Sequence, residues 1–268
     1  MPDQSSAISF SANISTMFTE LPFFERFGAA AAAGFPAVEV QYVFADYTAQ
    51  DIRARADAYG LAVNHLNTRM GGKGEFGLAA QPGREDEFAA IMDEALENAR
   101  ILDARTIHVM SGCIAPDERA RAEATFIANM QRASAMAAGI DVALCIEPIN
   151  SFDRQDYFVS RADEIVALLE QVDRPNVKLL FDFYHIQIMD GDLLRRMDRH
   201  WNHIGHFQFA GVPDRHEPQD CEINYPFLFA EIAQRGWTGF AGAEYRPRGA
   251  THEGLGWLSS FQPGGATA

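Results

Sequence analysis

Short apolar runs alternate with helix-period stretches from one end of this 268-residue chain to the other, and no other feature constrains its fold as much. The runs ISFSANI, AVEVQY, LAVNHLN, ARTIHVM, VALCIE, VKLLFD, IGHFQF and GFAGAE read as buried strands. Helical patterns fill 21–33, 51–59, 84–102, 117–138, 161–171, 186–197 and 225–235. Within 84–102 the apolar residues Phe88, Ile91, Met92, Ala95, Leu96 and Ala99 recur at helical spacing. Gly34 and Gly60 stop the first two helices, and Pro116 stands near the start of the fourth. Strands that alternate with helices pair in parallel, because a parallel neighbour needs a long crossover. The expected fold class is α/β, a single-domain (β/α)8 TIM barrel over 1–268 with a short flexible tail from about 262. A doubly wound open sheet is the rival, but no GxGxxG turn follows a strand, which counts against its dinucleotide-binding version.

The last four runs carry an oxygen-bearing side chain at or next to their ends: Glu147, Asp182, Gln208 and Glu244. They are spaced 35, 26 and 36 residues apart, close to the roughly 31 residues per βα unit of such a barrel, so they fall on consecutive strands. Strand ends converge on one mouth of a barrel. Four oxygen-bearing side chains there are what a hard divalent cation needs, so Mg²⁺ is expected, with Mn²⁺ as the second choice. Strand parity places Cys145 with Glu147, Leu180 with Asp182, His206 with Gln208 and Gly242 with Glu244 on the barrel axis. Each of the four, taken singly, also fits a plainer role as a helix cap or a partner of a surface arginine.

Other candidates gather around the same mouth. His65 and His108 lie near the ends of the third and fourth strands, and His185 follows Asp182 by three residues. A neutral imidazole there donates to a substrate oxygen, although a lone strand histidine is equally a hydrogen-bonded core residue. Arg215, in the charged loop GVPDRHEPQDCEINYPF, is placed to clamp a substrate oxygen or carboxylate. Arg69, Lys73 and Arg246 are weaker candidates for that task. Asp153 is read either as a partner for a substrate hydroxyl or as a turn cap.

Composition removes several function classes. A net charge of −15 offers no basic face for nucleic acid or for an anionic membrane surface. The start MPDQSSAISF lacks the features of a signal peptide, and the apolar stretch 27–44 is broken by Gly34, Pro36 and Glu39, so it reads as helix, turn and strand. Cys113, Cys145 and Cys221 are too scattered for a zinc or disulfide framework and are expected as reduced thiols in a cytoplasmic enzyme.

The chain resembles the hydroxypyruvate isomerase family, within the xylose isomerase-like barrels and including 2-oxo-tetronate isomerases. The likeness is carried by EPIN at Glu147, DFYHIQIMDGDL from Asp182, HFQFAGVPDRHEP around Gln208, EINYPF from Glu222, GAEYRP around Glu244 and GLGWL near the end, with PGREDEF and IHVMSG upstream. The resemblance implies a metal-assisted isomerase of small hydroxy-carbonyl acids working through an enediolate. Its metal ligands fall on Glu147, Asp182, Gln208 and Glu244, its proton donor and acceptor on Glu147 and Glu244, its DFYH histidine on His185 and its substrate-clamping arginine on Arg215. Related ketose 3-epimerases usually carry histidine at the third ligand, so Gln208 favours the hydroxypyruvate-type branch. Two stretches depart from the family pattern: the loop NTRMGGKGEFGLAA lacks a GDW element, and Gln219, Asp220 and Cys221 replace a small, glycine-rich turn. Alternatives on the same scaffold are a ketose 3-epimerase, an inosose-type dehydratase and a non-catalytic sugar-acid-binding protein. Homo-oligomers are compatible with such a barrel, but no interface is legible.

Overall fold

The computed structural model describes residues 8–259. The tail expected from about 262 lies outside them. Eight parallel strands form a closed barrel in chain order: β1 (Ser9–Asn13), β2 (Ala37–Val40), β3 (Ala62–Asn67), β4 (Thr106–His108), β5 (Ala143–Ile146), β6 (Val177–Asp182), β7 (Ile204–Phe209) and β8 (Phe240–Ala243). The ring closes where β1 pairs with β8, Ser11 opposite Gly242. The open-sheet rival is thereby excluded.

Helices α1 (Phe23–Ala32), α2 (Ala49–Ala58), α3 (Glu85–Leu102), α4 (Arg119–Met136) and α5 (Ala162–Val172) follow the first five strands. Next come α6 (Phe183–Met189), α7 (Leu193–His200), α8 (Tyr225–Gln234) and the short α9 (Gly256–Ser259). Among the described residues no helix is long and apolar enough to cross a membrane, and 27–44 is indeed helix, turn and strand.

One helix expectation is corrected. The stretch 186–197 is not a single helix but α6 and α7, and the first of these begins at Phe183. Gly191 and Asp192 adopt left-handed φ values of 63° and 49°, and the backbone N–H groups of Asp190 and Gly191 both return to Ile186 O. Such a cap satisfies the last carbonyls of α6 and stops it, so the apolar spacing continues while the backbone does not.

Outward-facing strand residues bind the helical shell. Phe207 of β7 lies parallel to Phe183 of α6 at 5.7 Å and edge-on to Trp237 at 4.8 Å. Phe209 packs edge-on against Phe229 of α8 at 5.0 Å and Trp257 of α9 at 5.3 Å, and Phe10 of β1 meets the same two rings. This cluster covers the seam between the last strands and the first. Each such ring contributes about 1.5–3 kcal/mol by leaving water.

Candidate active site

Inward parity gives every strand a polar side chain within one residue of its C-terminal end: Asn13, Gln41, Asn67, His108, Glu147, Asp182, Gln208 and Glu244, all buried. They crowd one mouth of the barrel, as expected for this fold. Above them opens a cavity of about 510 Å³ lined by Gln41, Tyr42, Asn67, Glu147, Asp153, His185, Arg215 and Glu244 among others.

One inward position lower lies a second polar set. Glu39 of β2 accepts from Ser11 Oγ at 2.7 Å, His206 Nε2 at 2.8 Å and Gln208 Nε2 at 2.7 Å. Because β2 and β7 are not neighbours, the bonds from His206 and Gln208 cross the barrel interior. Gly242 makes room for them: a Cβ there would lie 2.1 Å from Glu39 Oε1. His65 stacks on His206 at 4.6 Å and bonds Thr106 Oγ1 through Nδ1 at 2.8 Å. It therefore belongs to this lower set and does not line the cavity. Cys145, expected beneath Glu147, is fully buried there, and burial pushes its thiol up, away from reactivity.

The three acidic residues of the rim sit in different surroundings. Asp182 Oδ1 caps α6 by accepting from Tyr184 N at 2.8 Å, so the plainer role holds for that oxygen, while Oδ2 is buried without a hydrogen bond. Glu147 Oε1 is likewise buried and unbonded, and Glu147 Oε2 lies 3.4 Å from His108 Nδ1. Glu244 Oε2 accepts from Gln41 at 2.8 Å and Asn13 at 3.3 Å, and its Oε1 meets Arg215 Nη2 at 2.5 Å. Burial, followed by the charges of Glu244 and Asp182, drives the Glu147 carboxyl well above the usual range. Burial and the Glu244 charge raise Asp182 too, against the pull of Arg215, and Glu244 is raised chiefly by burial. Crowded carboxylates of this kind accommodate one another by gaining a proton or a cation.

Arg215 is fixed among them. Its backbone holds a left-handed φ of 56°, which a side-chain-bearing residue adopts at a cost of about 1–2 kcal/mol. Backbone bonds from its N–H to Gly211 O and from Arg246 N–H to its carbonyl, both 2.8 Å, keep it so. Its guanidinium also lies 3.8 Å from Asp182 and 3.6 Å from Asp153.

His185 is locked in one tautomer. The backbone N–H of Asn150 donates to His185 Nδ1 at 3.2 Å and the Asn150 amide nitrogen lies 2.7 Å from it. Asn150 Oδ1 accepts from Phe152 N and Asp153 N, which settles which way that amide points. Nδ1 is thus an acceptor, and burial followed by Arg215 holds the ring well below its ordinary value, in the neutral form. The proton must sit on Nε2, 3.7 Å from both Glu147 Oε1 and Asp182 Oδ2. Glu147, Asp182 and His185 offer atoms within 4.8 Å of one another, as a metal trio would, but the tautomer makes His185 a donor rather than a ligand.

An all-oxygen set of Glu147, Asp182, Gln208 and Glu244 fits a hard cation. Two buried carboxylate oxygens lack partners, and Gln208, its nitrogen committed to Glu39, has its carbonyl oxygen as the atom a cation would use.

Of the remaining candidates, Asp153 lines the cavity and accepts from Tyr184 Oη at 3.3 Å. Arg246 lines it as well, whereas Arg69 is held outside by Glu94 at 2.8 Å and Lys73 is exposed away from it. Sequence reasoning missed Glu39, Asn13, Gln41 and Asn67. The parity rule used on the last four strands would have found them on the first three.

The closed eight-stranded barrel with its polar mouth is an α/β barrel of one known family. Residues 27–261 match the family described as xylose isomerase-like TIM barrel, and the chain belongs to it. It is 45% identical to the 2-oxo-tetronate isomerase of Cupriavidus necator over 255 residues, 94% of this chain and 98% of that protein. It is 34% identical to the hydroxypyruvate isomerase of Escherichia coli K12, covering 95% of this chain and all of that one. Among solved structures, one described as AP endonuclease, family 2 from Brucella melitensis superposes with a TM-score of 0.93 at 42% identity, covering 96% of this chain and 100% of that one.

Proposed function

We propose that the protein is an isomerase of small hydroxy-carbonyl acids, moving a carbonyl between adjacent carbons of 2-oxo-tetronate or hydroxypyruvate by proton transfer. The observation that carries this reading is the convergence of Glu147 and Glu244 on one cavity with a neutral His185 Nε2–H and the Arg215 guanidinium beside them. One glutamate removes the proton from the hydroxyl-bearing carbon next to the carbonyl, a glutamate returns it to the former carbonyl carbon, and the hydroxyl proton passes to the former carbonyl oxygen, so that carbonyl and hydroxyl exchange places. His185 and Arg215 donate to the oxygens on which negative charge develops. Asn13 and Gln41 hold Glu244, and Asn150 holds His185, so the groups are oriented before substrate arrives.

Glu147, Asp182, Gln208 and Glu244 would hold a divalent cation, Mg²⁺ first and Mn²⁺ second, which when bound supplies fixed positive charge to the substrate oxygens. Named relatives that act on such acids support the substrate class. The three free cysteines fit a reducing compartment such as the cytoplasm. Cleavage of nucleic acid would need a basic groove, and the net charge of −15 speaks against one.

Proton NMR of hydroxypyruvate and of 2-oxo-tetronate in D₂O with metal-loaded protein tests the proposal. Solvent deuterium should enter the carbon that exchanges its proton, with the isomer accumulating. Consumption of fructose or tagatose with both acids untouched would replace the reading with a 3-epimerase.

A further inference from the structure

We infer that Arg154, seated over the Phe76 ring, is the arm of the cavity that receives the substrate's carboxylate and makes the site selective for acids over neutral sugars of the same length. The inference rests on the proposed function and deepens it.

The cavity has three guanidinium groups in its lining: Arg154, Arg215 and Arg246. Arg215 already faces Glu244, Asp182 and Asp153, so its charge is balanced before a substrate carboxylate enters, and its free N–H groups remain for the reacting oxygens. Among the described residues Arg154 and Arg246 have neither an ion pair nor a side-chain hydrogen bond. In a chain with 37 acidic and 22 basic side chains, two unpaired arginines at the mouth of an acidic cavity leave their charge available to something that enters it.

Arg154 is the one whose geometry is prepared. Its Cζ stands 3.3 Å from the centroid of the Phe76 ring. A guanidinium lying on an aromatic face keeps its N–H edge free for two parallel bonds to a carboxylate, and it gives up less freedom on binding. Both partners are fixed by their backbones. Gly77 N bonds Met70 O at 2.8 Å, Cys113 N bonds Glu75 O at 2.9 Å, and Gly77 pairs with Ser111, so close to Met110 that an added Cβ would lie 2.1 Å from its carbonyl oxygen. On the other side, Arg154 N bonds Asn150 O at 3.0 Å, and Asn150 is the residue that holds His185. The loop after β3, where the sequence departs from the family pattern, thus delivers the platform for an arginine anchored to the reaction centre.

The test uses D-erythronate, a four-carbon acid without a carbonyl to isomerise, and erythritol as its uncharged counterpart. Calorimetric titration of the metal-loaded protein should show erythronate binding at least about tenfold more tightly than erythritol, the range of a charge-assisted bond. Arg154→Ala should bring that ratio close to one, Arg154→Lys should restore part of it, and Phe76→Leu should weaken it. Circular dichroism checks that each variant is folded. The inference is overturned if folded Arg154→Ala keeps the wild-type ratio, if Arg246→Ala alone removes it, or if the wild type shows no preference. Should the wild type prefer erythronate and Arg154→Ala lose that preference, while neither keto acid exchanges a proton, the proposed function fails and the role of Arg154 in binding acids stands. Exchange by the wild type together with an unchanged ratio in Arg154→Ala leaves the proposed function standing and removes Arg154 from acid selection.

Discussion

Glu39 on β2 accepts a 2.7 Å hydrogen bond from the amide of Gln208 on β7, two intervening strands away round the barrel. With Ser11 and His206 on its other oxygen it is a fully satisfied buried anion. Glu39→Ala leaves those donors unpaired and should cost about 3–5 kcal/mol in denaturant unfolding at neutral pH. A loss under about 1 kcal/mol would contradict the role given to the network. The effect should depend on pH. Burial pushes the Glu39 carboxyl up, but His206 and Gln208 outweigh it and hold it at about 2, below the ordinary 4.5. A depressed folded value gives stability that is whole above 4.5 and disappears as pH falls from there towards 2. The gap between wild type and Glu39→Ala should narrow over that window.

Glu147→Gln and Glu244→Gln should each lower turnover of a confirmed substrate by roughly 10²–10³ or more while leaving the circular dichroism spectrum intact. Near-normal turnover of either would remove that glutamate from the chemistry. Burial and the charges of Glu244 and Asp182 disfavour an ionised Glu147, so the chelated Glu147→Gln protein should melt higher than the chelated wild type. For a chain of this size each kcal/mol corresponds to about 2–4 °C.

Mg²⁺ or Mn²⁺ at about one hundred times its dissociation constant should stabilise the chelated protein by about 2.7 kcal/mol in a thermal-shift titration. Asp182→Asn should abolish that shift. The apparent affinity should fall as pH drops, because protons compete for the same oxygens. Full turnover after exhaustive chelation would defeat the assignment.

Asn150→Asp offers His185 a carboxylate in place of an amide. The proton should move from Nε2 to Nδ1, which turns a donor aimed at the cavity into an acceptor. Nitrogen NMR shifts of the His185 ring report the tautomer directly, and turnover should fall by roughly 10²-fold with it. An unchanged tautomer would show that Asn150 does not control it.

The eight strands and most helices are legible in the sequence because burial on both faces of a parallel sheet writes itself as short apolar runs. VKLLFD and IGHFQF match β6 and β7 to the residue, and most other elements end within two or three of their expected bounds. The break between α6 and α7 is not legible, since Gly191 and Asp192 end a helix through backbone dihedrals that leave the apolar spacing unaltered. Parity turns Glu39 inward, but its role is hidden for another reason. A glutamate within AVEVQY looks like an interruption, and the partners that make it a core residue lie 167 and 169 positions away. His65 does stand near its strand's end, but one step of parity separates the lining of the cavity from the packing beneath it.

Glu244 stands just past the last strand of the barrel, yet the amides that steady it belong to β1 and the end of β2, 231 and 203 residues earlier. A chain emerging in order cannot hold its second glutamate in place until the final strand has slotted against the first. Under the proposed function, ring closure is therefore the step that completes the pair of glutamates, and a half-finished fold would offer substrate only one of them.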